Sequence, residues 1–186
     1  MRIIAGSAKG HPLRSPRGRR TRPTPDRVRE AIFSIIGDTV EGATVIDLFA
    51  GTGALGLEAL SRGASEAVFV ERDPVALKCL RENIGACGFS NVARVVSSPV
   101  LPFLRRLDLP DAGAIIFADP PYRSGEGTKT LLALAKNAKS LSRSVIVLEH
   151  APGREPDRIP EGMIVQSRRR YGDTCVMFLS MGAQGG

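Results

Sequence analysis

Residues 45–56, VIDLFAGTGALG, place closely spaced glycines beside carboxylates. Gly51, Gly53 and Gly56 form a G-x-G-x-x-G pattern, and Glu71 follows the first of these glycines by twenty residues. A strand that runs through such a loop into a helix brings backbone N–H groups close to a bound ligand. The pattern is typical of a loop that holds a nucleotide-containing cofactor.

The loop leaves two cofactors open, a nicotinamide dinucleotide and S-adenosylmethionine. Asp47 lies four residues before Gly51, at the end of the preceding strand. Its carboxylate can accept hydrogen bonds from the ammonium group of S-adenosylmethionine or from a bound water, but it would repel a pyrophosphate. Glu71 suits ribose hydroxyls in either case. The charge of Asp47 therefore favours S-adenosylmethionine.

A second motif, DPPY at residues 119–122, follows another predicted strand. In a doubly wound sheet the first and fourth strands are neighbours, so this motif is expected beside the glycine loop. Two prolines fix the backbone, and the Asp119 side chain and the Pro120 carbonyl can then accept hydrogen bonds from one amino group. Tyr122 offers a ring on which a planar base can stack. Hydride transfer needs no such group, so the motif favours methylation of an amino nitrogen.

The positive charge of the chain is concentrated at its start. Nine of the 26 Lys and Arg residues lie within the first 30 positions, against two acidic residues, which equals the net charge of +7. A basic segment on an otherwise neutral chain favours a polyphosphate partner such as RNA; a solvated basic tail is the alternative. The arginines that we predict to contact RNA are Arg2, Arg14, Arg17, Arg19, Arg20, Arg22 and Arg27.

Length and composition favour one domain with a small appendage. The chain has 186 residues, 42% of them hydrophobic, which fills one core. We find no secretion signal and no apolar run near the roughly 20 residues that cross a bilayer, so we expect a cytoplasmic protein without membrane contact. The three cysteines, Cys79, Cys87 and Cys175, form no C-x-x-C pair, and we expect reduced thiols and no metal site.

Short β-branched runs alternate with helical stretches from residue 44 onward. This alternation predicts an α/β fold with a mostly parallel sheet and helices on both of its faces. The predicted strands span 44–49, 66–71, 92–96, 114–119 and 144–149. The predicted helices span 53–63, 74–88 and 129–141, with a shorter helical turn at 101–107.

Smaller elements are expected at both ends of the chain. Residues 2–6 and 12–16 can pair as a hairpin. A helix then begins at Pro25, capped by Thr24, and ends at Gly37. Its apolar face comprises Val28, Ile32, Ile35 and Ile36, and Arg27 and Arg29 extend the basic segment from its first turn.

At the other end, residues 163–170 and 173–180 predict a β-hairpin around Tyr171 and Gly172. Arg168, Arg169 and Arg170 suit either an extended RNA surface or a charged strand edge. We divide the chain into a basic extension for RNA contact (1–40), a cofactor-binding domain (41–182) and a flexible tail (183–186).

These motifs carry a family resemblance. DLFAGTGALGLEAL, FVERD and DPPY resemble class I S-adenosylmethionine-dependent methyltransferases of exocyclic amino nitrogens. RIIAG near the start, TRPTPDRVREAIF at 21–33 and YGDT at 171–174 resemble the RsmD family, over about residues 2 to 180. The resemblance implies a seven-stranded Rossmann-like fold, S-adenosylmethionine as cofactor, and methylation of the N2 amine of one guanine in 16S rRNA. The substrate would be the small ribosomal subunit or an assembly intermediate.

The same resemblance implies the residues of the site. Catalytic roles fall to Asp119, Pro120 and Tyr122. Cofactor contacts fall to Asp47, Phe49, Gly51, Gly53, Glu71, Arg72, Ser98 and Asp119. One departure is that the family pattern Ser-Asp-Ala is replaced within Ser97-Ser98-Pro99-Val100, where Pro99 stands at the position of the Asp. The contact to the adenine amine then comes from Ser98, a backbone group or water, or is absent.

Three other functions stay open from the sequence. A DNA amino-methyltransferase would share this chemistry, but such enzymes usually have a further target-recognition domain. A nicotinamide oxidoreductase would bind a reduced dinucleotide. A non-catalytic RNA-binding assembly factor would bind RNA without transferring a methyl group.

Overall fold

Seven strands form one sheet in the computed structural model, which describes residues 1–16, 25–107, 113–121, 125–137 and 141–182. The sheet order is β3-β2-β1-β4-β5-β7-β6; the first five strands in this order are parallel, and β7 is antiparallel to both of its neighbours. The predicted mostly parallel sheet with a terminal hairpin is confirmed. The strands are β1 (Thr44–Leu48), β2 (Glu66–Glu71), β3 (Ala93–Ser97), β4 (Ala114–Ala118), β5 (Val145–His150), β6 (Met163–Tyr171) and β7 (Thr174–Met181).

Helices connect the parallel strands at the predicted positions, with one shift. The helix predicted at 129–141 begins earlier, at Glu126, directly after Gly125 in a left-handed conformation (φ 83°), and it ends earlier, at Ala135. Within the described residues the helices are α1 (Asp26–Ile36), α2 (Ala54–Ser61), α3 (Pro74–Ala86), α4 (Val100–Leu104) and α5 (Glu126–Ala135), with a 3₁₀ turn at Gly37–Val40.

The core lies in two layers on opposite faces of the sheet. Successive side chains of a strand point to opposite faces, so in β4 Ile115 and Phe117 face one layer while Ile116 and Ala118 face the other. Helices α1, α2 and α3 pack on the first face, and α4 and α5 pack on the second. This confirms helices on both faces of the sheet.

The buried apolar face of helix α1 differs from the predicted one by one residue lost and one gained. Val28, Ile32 and Ile36 are buried as expected, but Ile35 is 43% exposed and its predicted place in the core is wrong. Phe33 lies in the core instead, with its ring centroid 5.7 Å from that of Phe117. An aromatic contact of this kind fixes the helix over the centre of the sheet.

Arg29 is buried, so its predicted place in the exposed basic segment is wrong. Its guanidinium is 0% exposed and donates to the Arg2 carbonyl and, at 3.0 Å, to the Asp26 carboxylate. Burial lowers the pKa of Arg29, and the nearby carboxylates of Asp26, Glu58 and Glu149 oppose that effect. Arg29 therefore joins α1 to the N-terminal hairpin rather than to solvent.

The predicted N-terminal hairpin is confirmed as a short antiparallel pairing. Arg2 and Pro12 form its bridge, and Ile3 and Leu13 are buried in the core layer under α1. The Glu58 carboxylate of α2 accepts hydrogen bonds from the Ile4 N–H at 2.7 Å and the Ala5 N–H at 3.0 Å. The hairpin therefore packs as part of the main core. The proposed cap Thr24 and the tail 183–186 lie outside the described residues.

The terminal hairpin adds β7 and then β6 to the sheet. β6 has a register shift between Val165 and Ser167. Arg168, Arg169 and Arg170 at its end are exposed, and Ile164 near its start is 49% exposed. The charged end of β6 is therefore accessible. Among the described helices, we find none with the length and apolar character needed to span a membrane.

We expect Gly56→Ala to destabilise the fold by about 1–3 kcal/mol through overpacking. A Cβ at Gly56 would lie 2.3 Å from the ring of Phe69, which is fully buried and has no room to move. The measurement is the free energy of unfolding in urea. Gly85→Ala is the matched control, because a Cβ there meets nothing within 4 Å; we expect it to stabilise α3 by about 0.5–1 kcal/mol. Equal effects of the two variants would contradict this account.

Candidate active site

The carboxyl ends of β1, β2, β3 and β4 meet at one edge of the sheet, where the strand order reverses. The chain passes from β1 to β2 on one side and returns to β4 on the other, which is the usual place for a ligand in an open α/β sheet. Phe117 of β4 is in register with Asp47 of β1. Tyr122 lies outside the described residues. The other predicted residues all lie at this edge: Asp47, Phe49, Gly51, Gly53, Glu71, Arg72, Ser98, Asp119 and Pro120.

The three glycines of the loop have different roles. Gly51 has φ 56°, and a Cβ there would meet nothing nearer than the Phe49 carbonyl at 3.9 Å, so its backbone faces open space. A Cβ at Gly53 would lie 2.5 Å from Leu80 of α3, so this glycine permits close helix packing. Phe49 itself has φ 60°, a conformation that costs free energy for a residue with a side chain. The first glycine is therefore the one that lets a ligand approach.

Glu71 holds the loop by its backbone. One carboxylate oxygen accepts the Gly51 N–H at 2.9 Å, and the other accepts the N–H groups of Arg72 and Asp73 at 2.7 Å each. A carboxylate has about four lone-pair sites, so acceptor capacity is left for hydroxyl groups. The predicted ribose contact of Glu71 is compatible with this geometry and stays a prediction, as does the contact of the exposed Arg72.

Asp47 is a buried carboxylate at the centre of the site. It is 3% exposed and accepts a hydrogen bond from the Gly56 N–H in the first turn of α2 at 3.0 Å. The pKa of Asp47 is raised to about 7, mainly by burial and in part by the charges of Asp119 and Glu71, against the lowering effect of the Gly56 hydrogen bond. Burial also raises the pKa of Asp119, to about 6. Three carboxyl groups therefore converge at this edge of the sheet.

This convergence selects the charge of the ligand. Buried like charges disfavour one another, and a cation among them favours their ionised forms. The ammonium and sulfonium groups of S-adenosylmethionine meet that requirement, whereas a pyrophosphate would add negative charge. The described residues therefore fit S-adenosylmethionine and argue against a nicotinamide dinucleotide.

Ser98 follows the last residue of β3 and precedes Pro99, which stands at the usual acidic position. Its N–H donates to the Glu71 carbonyl at 3.0 Å, and its hydroxyl donates to the Pro99 carbonyl at 3.0 Å. The Oγ atom keeps lone pairs that can accept from an amine. The predicted adenine contact of Ser98 is thus compatible with the structure and untested by it.

Pro120 and Pro121 border a cavity of about 80 Å³, which Asp47, Glu71 and Asp119 do not line. Pro120 is buried and Pro121 is exposed. The opposite wall is formed by the start of α5 and by the segment that follows β5. The cavity places DPP next to a space into which a substrate group can enter. Its other lining residues include Gly127, Leu148, Glu149, His150, Arg154 and Asp157.

Three of the arginines predicted to contact RNA lie on the described surface. Arg2, Arg14 and Arg27 are exposed, and Arg14 forms an ion pair with Glu82 at 2.9 Å. The positions of Arg17, Arg19, Arg20 and Arg22 lie outside the described residues.

Sequence reasoning missed two buried polar residues that support the site. Glu58 is 0% exposed and holds the N-terminal hairpin, and Asn83 is 1% exposed and binds both the glycine loop and the segment around Arg14. A polar residue on an otherwise apolar helix face could have indicated Asn83, since it lies on the same face of α3 as Leu80 and Ile84.

Comparisons with known proteins agree with this geometry. The family described as "Conserved hypothetical protein 95" matches residues 1–180. The chain is 34% identical over 185 residues to ribosomal RNA small subunit methyltransferase D of Escherichia coli, covering all of this chain and 92% of the relative. It is 36% identical over 178 residues to YlbH of Bacillus subtilis, covering 95% and 96% of the two chains. The solved structure of Escherichia coli yhhF is 33% identical with a TM-score of 0.84, covering 99% of each chain.

The fold and the site together define a class I S-adenosylmethionine-dependent methyltransferase. Within that class, the chain belongs to the family described as "Conserved hypothetical protein 95", the RsmD family, so the resemblance found in the sequence is confirmed.

We expect Asp47→Asn to weaken cofactor binding and to stabilise the free protein at pH 8. The pKa of Asp47 is raised on folding, so the stability of the free protein falls as the pH rises from about 4 to about 7. Asparagine keeps an acceptor for the Gly56 N–H and removes the buried charge. Calorimetry should show that the affinity of the variant for S-adenosylmethionine is at least about tenfold lower than that of the wild-type protein. Thermal unfolding at pH 8 should show that the variant has a higher Tm.

Asp38→Asn, at an exposed position of the 3₁₀ turn, is the matched control and should change neither quantity. In the wild-type protein, affinity for S-adenosylmethionine should fall as the pH is lowered from 8 to 5.5, because the carboxyl groups become protonated. A lower Tm for Asp47→Asn at pH 8, or unchanged affinity, would contradict the assignment.

Proposed function

We propose that the chain transfers a methyl group from S-adenosylmethionine to the N2 amine of one guanine in the 16S rRNA of the small ribosomal subunit. Relatives from Escherichia coli and Haemophilus influenzae, 34% and 31% identical, carry names that describe ribosomal RNA small subunit methylation. The observation that carries the proposal is the position of Asp119 and Pro120, one strand away from the buried Asp47. A cation site and a pair of amine acceptors then share one edge of the sheet.

The residues that would hold the cofactor are those of the carboxylate cluster and the glycine loop. Asp47 and Glu71 provide negative charge, Gly51 provides close backbone approach, and Ser98 provides an acceptor for the adenine amine. When bound, S-adenosylmethionine supplies an electrophilic methyl carbon on its sulfonium centre.

Asp119 and Pro120 act on the amine that receives the methyl group. The lone pair of the guanine N2 amine is delocalised into the ring, which makes the amine a poor nucleophile. The Asp119 carboxylate and the Pro120 carbonyl accept its two N–H bonds, orient the nitrogen and stabilise the positive charge that develops on it. Because burial raises the pKa of Asp119 to about 6, its carboxylate is also suited to take a proton near neutral pH.

The remaining predicted residues bind the RNA. Tyr122 stacks on a guanine that has turned out of its neighbours, which offsets an unstacking free energy of a few kcal/mol. Single-stranded loops lower that cost, and they are the usual targets of sequence-specific RNA recognition. The arginines of the N-terminal segment bind phosphates around the target, with Arg2, Arg14 and Arg27 exposed for that purpose. A cytoplasmic location follows from this substrate and is part of the proposal.

We expect the purified protein to transfer label from methyl-labelled S-adenosylmethionine to small ribosomal subunits taken from cells that lack the endogenous activity. Digestion of the RNA should yield labelled N2-methylguanosine. Asp119→Asn should reduce the rate by about 100-fold or more, since it removes the charge that faces the amine. Asp38→Asn should leave the rate unchanged.

Label in another nucleoside would contradict the assignment to guanine N2. Label only in DNA or in protein would indicate a different amino-methyltransferase. RNA binding without any transfer by the wild-type protein would favour the non-catalytic assembly factor.

We expect replacement of Arg17, Arg19, Arg20 and Arg22 by alanine to weaken binding to small ribosomal subunits and to reduce its salt dependence. Each lost phosphate contact should lower the slope of log affinity against log salt by about 0.7–0.9. Affinity for S-adenosylhomocysteine should stay within about twofold, because the cofactor site is untouched. Filter binding across a salt series gives the slope. The comparison is a variant in which Arg168, Arg169 and Arg170 are replaced by alanine. A larger loss of affinity for the subunits in that variant would indicate that the main RNA-binding surface is on β6.

A further inference from the structure

Asn83 joins two parts of the molecule that bind different ligands. Its Nδ2 donates to the Thr52 carbonyl and to the Arg14 carbonyl, both at 3.0 Å, and its Oδ1 accepts the Arg14 N–H at 2.8 Å. Both N–H donors of the amide are therefore used. The Asn83 side chain is 1% exposed, and the three hydrogen bonds are part-buried. One buried amide thus connects the glycine loop to the basic N-terminal segment.

The loop side of this connection is tightly constrained. Thr52 lies between Gly51 and Gly53, and the Gly51 N–H is held from the other side by Glu71 at 2.9 Å. Leu80, one turn before Asn83 on α3, lies so close to Gly53 that a Cβ there would be 2.5 Å from its Cδ1. A change in the loop on cofactor binding therefore acts directly on α3 and on the Asn83 amide.

The N-terminal side is held by two successive residues of α3. Glu82 pairs with the Arg14 guanidinium at 2.9 Å, but that side chain is 75% exposed, and an exposed ion pair of this kind contributes little. Asn83 holds the Arg14 backbone through two part-buried hydrogen bonds. Arg14 immediately precedes the stretch that contains Arg17, Arg19, Arg20 and Arg22. Asn83 therefore holds the backbone at Arg14, three residues before the first arginine of this stretch.

We infer that Asn83 is a positioning residue that couples cofactor binding to RNA binding, so that each ligand increases the affinity for the other. This inference rests on the proposed function. A ligand that fixes the Thr52 carbonyl also fixes the amide and, through it, the Arg14 backbone. The second ligand then binds next to an Arg14 backbone that is already restrained, and this lowers the entropy cost of its binding. Linkage requires the effect to be the same in both directions.

The test is the affinity for labelled S-adenosylhomocysteine, measured by equilibrium dialysis with and without saturating small ribosomal subunits that lack the modification. In the wild-type protein we expect the subunits to increase affinity by about fivefold or more. In Asn83→Ala that factor should fall to near 1, while binding of S-adenosylhomocysteine alone changes less. Asn91→Ala, at an exposed position after α3, is the matched control and should keep the full factor. A purely structural tether would lower the Tm and leave the factor unchanged.

A second measurement uses only the wild-type protein, in case Asn83→Ala does not fold. Hydrogen exchange of the Arg14 amide, which donates to Asn83 Oδ1, should slow when S-adenosylhomocysteine is added. The inference is overturned if that exchange rate is unchanged by bound S-adenosylhomocysteine, if the wild-type factor is 1 although the subunits bind the protein, or if Asn83→Ala keeps the wild-type factor. Failure of the proposed function gives different results, namely no binding of S-adenosylhomocysteine or no binding of the wild-type protein to the subunits in the filter assay.

Discussion

The hydrogen bond from the Gly56 N–H to the Asp47 carboxylate joins the central strand to helix α2, and the arrangement around the site depends on it. N–H groups in the first turn of a helix lack helical partners. The N-cap residue of α2 is Gly53, which has no side chain that could accept one of these N–H groups. The Asp47 carboxylate on β1 accepts the Gly56 N–H instead. Helix α2 in turn carries Glu58 and Ser61, which bind backbone groups of the N-terminal hairpin. Strand, loop, helix and hairpin are thereby fixed as one unit.

The carboxylate that fixes α2 is also unfavourable in the protein without ligand. Burial and the neighbouring Asp119 and Glu71 oppose its ionisation, and the single hydrogen bond offsets only part of that effect. A bound cation offsets the free-energy cost of ionising Asp47. In the low dielectric of the protein interior an isolated charge is unfavourable, but its attraction to an opposite charge is stronger. The site thus keeps its charges in place before the ligand arrives, at the expense of stability. A structural carboxylate is here also a recognition group.

The sequence predicted the five parallel strands to within a residue or two, because each of them is a short run rich in β-branched residues. Local patterns failed where local signals were weak or misleading: α5 begins after Gly125 without a side-chain cap, and Ile35 matched the helical period but points to solvent. The carboxylates of the site were predictable, since they lie in motifs at strand ends. Asn83 and Glu58 were missed, because the backbone groups that they bind lie 31 or more residues away along the chain. No pattern within one segment encodes such contacts.

β6 is the outermost strand of the sheet, and this affects whether copies of the protein aggregate in solution. An outer strand offers backbone groups that can pair with a strand of another molecule. At one end of β6, Arg168, Arg169 and Arg170 place like charges on every copy, and this repulsion weakens as salt is added. At the other end, beside the half-exposed Ile164, protection comes from the irregular register between Val165 and Ser167, which salt does not affect. Resistance to aggregation along this strand is therefore electrostatic at one end and geometric at the other.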